Sequence, residues 1–190
     1  DLLGLPYQGS GVLGNALAMD KLRARVAMAA AGVAVAPALH GDALRDEAAV
    51  AAFLAEHGKL VAKPNAGGSS VGVSMVNHMA EWPKAYATAA RHGEVLVEAF
   101  IPGRELTVGV LGGEALPVVE ITPNKGEFYD IASKYAAGGS THAVPAAIPA
   151  ASSVGVLGVV RRRIHTFVQR PPVPDLHLYE PPLAVGILVQ

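Results

Sequence analysis

The stretch that decides the fold reads Leu60-Val61-Ala62-Lys63-Pro64-Asn65-Ala66-Gly67-Gly68-Ser69-Ser70-Val71-Gly72-Val73-Ser74. An apolar run typical of a strand ends in Lys63, and a loop of glycine and serine follows it. A second run, in which Val71, Val73 and Met75 alternate with small residues, leaves this loop. The pattern predicts two strands joined as a hairpin with a glycine-serine tip.

A tip of this composition suits phosphate binding. Glycines permit positive φ angles and close backbone approach, so that consecutive N–H groups can converge on anionic oxygens. Serine hydroxyls add donors and Lys63 adds a positive charge. The loop is not a Walker A motif, because no Gly-Lys-Ser/Thr follows the glycines and no helix pattern opens there. Gly-Gly-Ser-Ser is also common in ordinary hairpin loops, so the loop alone leaves both interpretations open.

The composition predicts a soluble globular protein. The 190 residues suffice for one or two domains, and with 51% hydrophobic but only 5% aromatic residues the core must consist of Ala, Val and Leu. A net charge of -1 gives no electrostatic reason to expect nucleic acid or an anionic membrane as a partner. The chain has no cysteine, which excludes disulfides and thiolate metal sites. It begins with Asp1 rather than Met, so we expect a fragment.

Three helices are predicted from their capping residues and apolar spacing. Asp20 is expected to cap a helix over 21–30 that ends at Gly32, and Asp42 a second helix that runs to Glu56. Trp82-Pro83 opens a third helix to about residue 91, because proline is tolerated in a first turn.

Further strands are predicted on both sides of these helices. Residues 33–39 form one candidate, and residues 94–100 alternate so that Val95, Val97 and Ala99 lie on one side. Gly112-Gly113 is a hairpin signal, which predicts antiparallel pairing of 104–111 with 114–121. Residues 151–190, with four arginines, no lysine and five prolines, fit neither a helix nor a strand period.

Four charged residues are candidates for a nucleotide site, each with a less specific alternative. Lys21 starts a helix and Lys63 ends a strand, and either could contact phosphate, although lysines are usually solvated surface groups. Glu98 and Glu105 bracket Pro102-Gly103 and could accept hydrogen bonds from an adenine amino group or a ribose hydroxyl. Exposed strand carboxylates are the commoner alternative.

The remaining polar residues predict no metal site and no nucleophile. The seven histidines show no short ligand spacing, so we expect no zinc site. Arg161-Arg162-Arg163 is expected to be a solvated cluster, because no aromatic residues are interleaved with it. The sequence has no Gly-x-Ser-x-Gly elbow and no triad signature.

Taken in order, these pieces resemble the D-alanine–D-alanine ligase family of the ATP-grasp superfamily. The resemblance covers roughly residues 1 to 148. The segments that carry it are Tyr7-Gln8-Gly9-Ser10-Gly11-Val12-Leu13, Met19-Asp20-Lys21, Val61-Ala62-Lys63-Pro64, Gly68-Ser69-Ser70-Val71-Gly72, Glu98, Gly103-Arg104-Glu105-Leu106-Thr107-Val108, and Phe128-Tyr129-Asp130 with Lys134-Tyr135.

The resemblance implies an α/β ATP-grasp fold that is incomplete in this chain. Residues 1–11 would be the end of an N-terminal substrate domain, and 12–97 the central ATP-grasp subdomain. Residues 98–150 would begin the C-terminal ATP-grasp subdomain, and 151–190 would be a tail that does not match the family pattern. A half-built C-terminal sheet would expose an apolar face and open edges, so we expect poor solubility or association.

The resemblance also implies roles for individual residues. Lys21 and Lys63 would contact nucleotide phosphates, Glu105 would bind the ribose, and Ser69 would orient the first D-alanine together with Tyr135. Lys134 would reach the terminal phosphate, and it forms the implied catalytic set with Ser69 and Tyr135. The other nucleotide-binding residues implied are Gly68, Ser69, Ser70, Val71, Glu98, Ala99, Phe100, Ile101 and Tyr129.

The family chemistry has two steps, in which ATP phosphorylates one D-alanine carboxylate and the amine of the second D-alanine attacks that acyl phosphate. The resemblance therefore implies a cytoplasmic enzyme of peptidoglycan precursor synthesis, with ATP and D-alanine as ligands and a homodimeric assembly. Mg²⁺ is expected for the family, but its carboxylate ligands cannot be placed in this sequence. Two alternatives stay open: a non-catalytic remnant that binds nucleotide, and another ATP-grasp carboxylate–amine ligase.

Overall fold

The computed structural model describes residues 10–111, 114–124, 138–149 and 187–189. They form two compact units, each containing a four-stranded antiparallel sheet. The first unit comprises 17–102 with 138–139, and the second comprises the other described residues. None of the helices within these ranges is long and apolar enough to span a membrane.

The described helices and strands follow in chain order. The helices are α1 (Val12–Met19), α2 (Lys21–Ala30), α3 (Glu47–His57) and α4 (Trp82–Ala90), with short 3-10 helices at Gly41–Arg45 and Met79–Glu81. The strands are β1 (Ala38–His40), β2 (Leu60–Pro64), β3 (Ser74–Val76), β4 (Val95–Ala99), β5 (Glu105–Val108), β6 (Val110–Leu111), β7 (Glu114–Ala115), β8 (Val119–Pro123), β9 (Ser140–Ala143) and β10 (Ile187–Val189).

The sheet of the first unit has the order β1-β4-β2-β3, and β2 pairs antiparallel with β3 as the hairpin pattern predicted. Directly opposite residues share a face of a sheet, and successive residues alternate between the faces. The pairing of Val61 with Glu98 and of Lys63 with Leu96 therefore places these four side chains on one face. The predicted alternation of β4 is confirmed, with Val97 on the opposite face from Glu98.

The core of the first unit lies on this opposite face. Leu60, Ala62, Val95 and Val97 are at most 5% exposed. They pack in one cluster with apolar residues of α3 and α4, namely Val50, Leu54, Trp82, Ala85 and Ala89. Burying each larger aliphatic side chain contributes about 1.5–3 kcal/mol. Both helices of this cluster thus cover one side of the sheet, while charged side chains occupy the other.

Helix α2 has the predicted bounds and the predicted ends. Asp20 caps its N-terminus by accepting from the Arg23 N–H. At its C-terminus Gly32 has φ +71°, and Val33 N–H donates to Met28 O at 2.9 Å, the arrangement of a Schellman motif. The predicted strand over 33–39 is wrong in its bounds because Val33 completes this cap, and β1 begins only at Ala38.

Two other bounds differ from the prediction, and one helix was not predicted. The helix expected to be capped by Asp42 is instead a 3-10 turn, and α3 starts after Asp46, whose side chain accepts from Ala48 N–H at 2.9 Å. Strand β3 begins at Ser74 rather than Val71, because the preceding residues turn through left-handed backbone. Helix α1 was not predicted, because its sequence is apolar nearly throughout and shows no polar face.

The sheet of the second unit has the order β10-β5-β8-β9. The predicted antiparallel pairing is confirmed, with Glu105 opposite Ile121 and, in the smaller β6-β7 pair, Leu111 opposite Glu114. The turn at 112–113 lies outside the described residues. The buried core of the second unit includes Val108, Val110, Val118 and Ala146.

Arg104 joins three segments of the second unit. Its Nε and one terminal nitrogen donate to the two carboxylate oxygens of Glu120, each at 2.5 Å, and the terminal nitrogen also donates to Ala147 O at 2.9 Å. Such a two-pronged pair has a defined geometry as well as charge attraction. Arg104 therefore connects the entrance of β5 to β8 and to the segment after β9.

Candidate functional site

The site begins at the N-terminus of α2, where the end of β2 satisfies the first N–H groups of the helix. Lys21 N–H donates to Asn65 O at 3.1 Å, and Leu22 N–H donates to the Asn65 side-chain oxygen at 2.9 Å. Arg23 N–H donates to Asp20 at 3.0 Å. The first N–H groups of a helix usually have no acceptor within the helix, and here Asn65 and Asp20 accept their hydrogen bonds. A ligand at this helix would have to contact the Lys21 side chain rather than the backbone.

The Lys21 side chain reaches the base of the glycine-serine loop. Its Nζ donates to Asn65 O at 3.2 Å and to Gly67 O at 3.0 Å. Burial lowers the pKa of Lys21, and the nearby positive charge of Lys63 lowers it further, whereas Glu98 and Asp20 act in the opposite direction. The structure thus brings together the two predicted lysines, and their mutual repulsion would be relieved by an anion.

The loop itself adopts strained backbone. Ser69 and Ser70 have φ angles of 53° and 59°, which non-glycine residues rarely adopt. Two short turns accompany them, closed by Val71 N–H to Gly68 O at 3.2 Å and by Val73 N–H to Ser70 O at 3.3 Å. Consecutive strained residues of this kind cluster at ligand-binding loops.

Gly72 closes the loop against the body of the unit. Its φ is +73°, and a Cβ added there would lie 2.8 Å from both a Pro64 ring carbon and a His92 ring carbon. Only glycine satisfies both constraints, so the exit of the loop is held at a fixed place beside the end of β2.

Glu98 lies at the centre of the charged face of the sheet. One of its carboxylate oxygens pairs with Lys63 and the other with Arg25 of α2, while a second guanidinium nitrogen of Arg25 donates to Ala36 O. The Glu98 side chain is 12% exposed. A carboxylate this buried requires such partners, because an unpaired buried charge is costly.

The residues after Glu98 are already tied to neighbouring segments. Ala99 N–H donates to Pro37 O and Phe100 N–H to Lys59 O, both at 2.9 Å. The Lys59 ammonium also lies 4.6 Å from the centre of the Phe100 ring. A base bound along this segment would therefore find its backbone donor at Ile101, which is exposed.

The structure places most predicted site residues in one unit. The predicted residues that lie in this unit are Lys21, Lys63, Gly68, Ser69, Ser70, Val71, Glu98, Ala99, Phe100 and Ile101. Glu105 lies in the second unit, in β5. Tyr129, Lys134 and Tyr135, as well as Arg161-Arg162-Arg163, lie outside the described residues, so their predicted roles stay predictions.

Sequence reasoning missed two residues of this site. Arg25 could have been found from its spacing, since it follows Lys21 by four residues on the same helix face. Asn65 is 6% exposed and bridges α2 and the start of β4, with its side-chain nitrogen 3.3 Å from Glu94. No sequence signal distinguishes it from an ordinary loop asparagine.

The charges of the site favour a polyanionic ligand. Lys21, Lys63 and Arg25 contribute three positive charges around Glu98, and the other nearby carboxylate, Asp20, is paired with Arg23. Within the described ranges, no group of three histidine, aspartate or glutamate side chains could hold a metal ion. The described site thus places two ammonium groups beside the glycine-serine loop, and its described residues offer no ready set of ligands for a cation.

Comparisons with known proteins agree with this geometry. The family model described as D-ala D-ala ligase C-terminus matches residues 30–169. D-alanine–D-alanine ligase from Xanthobacter autotrophicus is 50% identical over 151 residues, covering 78% of this chain and 48% of the relative. The corresponding ligase from Citrifermentans bemidjiense is 44% identical over 161 residues, covering 83% of this chain and 50% of the relative.

The crystal structure of VanG D-Ala:D-Ser ligase from Enterococcus faecalis is also similar, with a TM-score of 0.69 and 31% identity over 87% of this chain and 50% of that one. These likenesses show the ATP-grasp fold. The chain spans about half the length of the curated relatives it matches. The family match runs to residue 169. It therefore includes part of the segment 151–190, which was expected from the sequence to lie outside the family pattern.

Proposed function

Because this chain belongs to the D-alanine–D-alanine ligase family, we propose that it contributes the ATP-binding part of an enzyme that joins two D-alanines into D-alanyl-D-alanine for peptidoglycan precursors. In this reaction a carboxylate oxygen of the first D-alanine attacks the terminal phosphorus of ATP, and ADP leaves with the electrons of the broken P–O bond. The amine of the second D-alanine then attacks the acyl carbon, phosphate leaves with the bonding electrons, and the amine loses a proton.

One observation carries the proposal: Lys21 and Lys63 converge at a strained glycine-serine loop within a single compact unit. Phosphoryl transfer requires positioning and charge neutralisation more than covalent help from the protein. The two ammonium groups would neutralise the phosphates, and Gly68, Ser70 and Val71 of the loop would cover them.

Membership of the family supports roles for the other predicted residues. We propose that Glu98 and the segment through Ile101 contact the adenine and that Glu105 contacts the ribose. Ser69 and Tyr135 would orient the first D-alanine, and Lys134 together with Tyr129 would complete the nucleotide contacts. Mg²⁺, when bound, would neutralise phosphate charge, but the described residues provide no set of ligands for it.

Calorimetric titration with ADP and ATP, with and without Mg²⁺, tests the nucleotide site in this chain. We expect binding that weakens by about tenfold or more when Lys63 is changed to Met, since a charged hydrogen bond is lost. Lys84→Met is the matched control, because Lys84 is an exposed residue of α4 on the core side of the sheet. Absence of binding at millimolar nucleotide, or equal losses in both variants, would contradict the proposal.

D-serine is an alternative to the second D-alanine, because VanG, a D-Ala:D-Ser ligase by name, is 31% identical. The curated ligases above, 44% and 50% identical, favour D-alanine at both positions. Phosphate release with D-alanine alone, compared with D-alanine plus D-serine, separates these candidates. Nucleotide binding without phosphate release from either mixture would instead indicate a non-catalytic remnant.

We also propose a cytoplasmic location, where ATP and D-alanine are both available, and a homodimeric assembly as in the family. Size-exclusion chromatography with light scattering tests the assembly. A clean monomer at micromolar concentration would contradict both the dimer and the association expected of an incomplete C-terminal sheet.

A further inference from the structure

Glu98 is a negative charge inside a site proposed to bind phosphate. The inference drawn from it below rests on that proposed nucleotide site. The Glu98 carboxylate pairs with Lys63, one of the two lysines proposed to neutralise the phosphates. A carboxylate in this position competes with the nucleotide for the Lys63 ammonium. Since Glu98 is largely buried, it cannot simply turn to solvent when the anion arrives.

Arg25 resolves this competition. It pairs with the other carboxylate oxygen of Glu98 and, through a second guanidinium nitrogen, with the carbonyl of Ala36. Its side chain is only 18% exposed, so its charge is weakly screened. The planar guanidinium can make both bonds at once, which the single ammonium of a lysine at this position would do less well.

We infer that Arg25 is a positioning residue that keeps Glu98 paired during nucleotide binding and so releases Lys63 to the phosphates. When a nucleotide enters, the Lys63 ammonium moves from the Glu98 oxygen to a phosphate oxygen, while Arg25 continues to satisfy the carboxylate. Without Arg25, Lys63 is the one cation of the described residues that still forms an ion pair with Glu98. Taking it away would leave a buried carboxylate with only the more distant charge of Lys21.

A double-mutant cycle with inorganic tripolyphosphate, which has no base or ribose, tests this role. We expect R25M to weaken tripolyphosphate binding by on the order of tenfold, the loss of about one charged hydrogen bond. In the E98Q background, where no carboxylate competes for Lys63, adding R25M should change binding less than about twofold. R25K, which keeps the charge but not the planar fork, should fall between wild type and R25M.

The exposed Arg45 provides the control for net charge. It lies 3.5 Å from Asp42 with 81% of its side chain exposed, so R45M removes the same charge at a distance from the site. A loss in R45M equal to that in R25M would reduce the effect to net charge and overturn the inference. The inference is also overturned if R25M remains just as damaging in the E98Q background, because a purely structural role would not depend on the Glu98 charge.

A measurement without any ligand separates this inference from the proposed function. The Lys63 amine can be labelled with an acylating reagent and quantified by peptide mass spectrometry. We expect slower labelling of Lys63 in R25M and faster labelling in E98Q than in wild type. If wild type binds neither ADP nor tripolyphosphate while labelling follows this order, the nucleotide function fails and the control of Lys63 by Arg25 stands. Unchanged labelling in R25M overturns the inference.

Discussion

The side chain of Asn65 accepts a hydrogen bond from the backbone N–H of Leu22 at 2.9 Å. Its own side-chain nitrogen lies 3.1 Å from Asp20 and 3.3 Å from Glu94, and its carbonyl accepts from Lys21. One buried asparagine thus connects the first turn of α2 to the end of β2 and to the approach to β4. The helix that carries Lys21 and Arg25 is held to the sheet that carries Lys63 and Glu98 through this residue.

Changing Asn65 to Ala should destabilise the chain by about 1–3 kcal/mol, because the partly buried N–H of Leu22 loses its acceptor. Denaturant unfolding followed by circular dichroism measures the difference. Asn77→Ala is the control, since Asn77 is exposed and its side chain makes one long contact of 3.4 Å with Glu81. Equal destabilisation by both substitutions would argue against the bridging role of Asn65.

Changing Gly72 to Ala should destabilise the chain and displace the loop. Left-handed backbone alone costs a non-glycine residue about 1–2 kcal/mol. The new Cβ would also lie 2.8 Å from the rings of Pro64 and His92. Thermal unfolding provides the measurement. Gly68→Ala is the matched control in the same loop, because a Cβ there meets nothing within 4 Å, and it should leave stability within about 1 kcal/mol of wild type.

Local sequence signals predicted much of the first unit. The cap at Asp20, the stop at Gly32, the β2-β3 hairpin and the alternation of β4 each depend on residues close in the chain. Where two local signals competed, sequence reasoning failed. Asp42 and Asp46 both precede alanine-rich stretches, and the extended backbone of Asp46, with φ -93° and ψ 101°, separates the 3-10 turn from α3.

The connections between the site residues could not be predicted from local signals. Arg25 and Glu98 are 73 residues apart, and their pairing depends on where α2 lies against the sheet. The left-handed backbone at Ser69 and Ser70 is equally hidden, because serine has no general preference for it. The resemblance to a family implied roles for Lys21, Lys63 and Glu98, but it did not point to the arginine that pairs with Glu98.

Stability of the second unit should fall in acid through Glu120. The hydrogen bonds from Arg104 hold the pKa of Glu120 below its ordinary value. The folded chain therefore binds this proton less readily than the unfolded chain. The stabilisation that the Arg104–Glu120 pair contributes is thus fully present above about pH 4.3, the usual pKa of glutamate. It is lost as the pH falls through the lower pKa of the folded state.

E120Q should therefore be less stable than wild type near neutral pH, and the difference should shrink as the pH falls below about 4.3. Unfolding midpoints across this range provide the measurement. E56Q removes an exposed carboxylate, 73% accessible, and serves as the control. A gap between E120Q and wild type that stays constant with pH would contradict the assigned role of the Arg104 pair.

Binding of ADP should weaken as the pH rises, and this weakening should begin at a lower pH than it would for a lysine with an ordinary pKa. Burial, together with Lys63, lowers the pKa of Lys21, so its ammonium loses its proton and its attraction for phosphate earlier as the pH rises. Titrations between about pH 8 and pH 10 measure this effect. K21R stays charged throughout and should flatten the dependence, whereas K84R, on the exposed surface of α4, should follow wild type. Identical profiles for wild type and K21R would mean that Lys21 does not contact the phosphates.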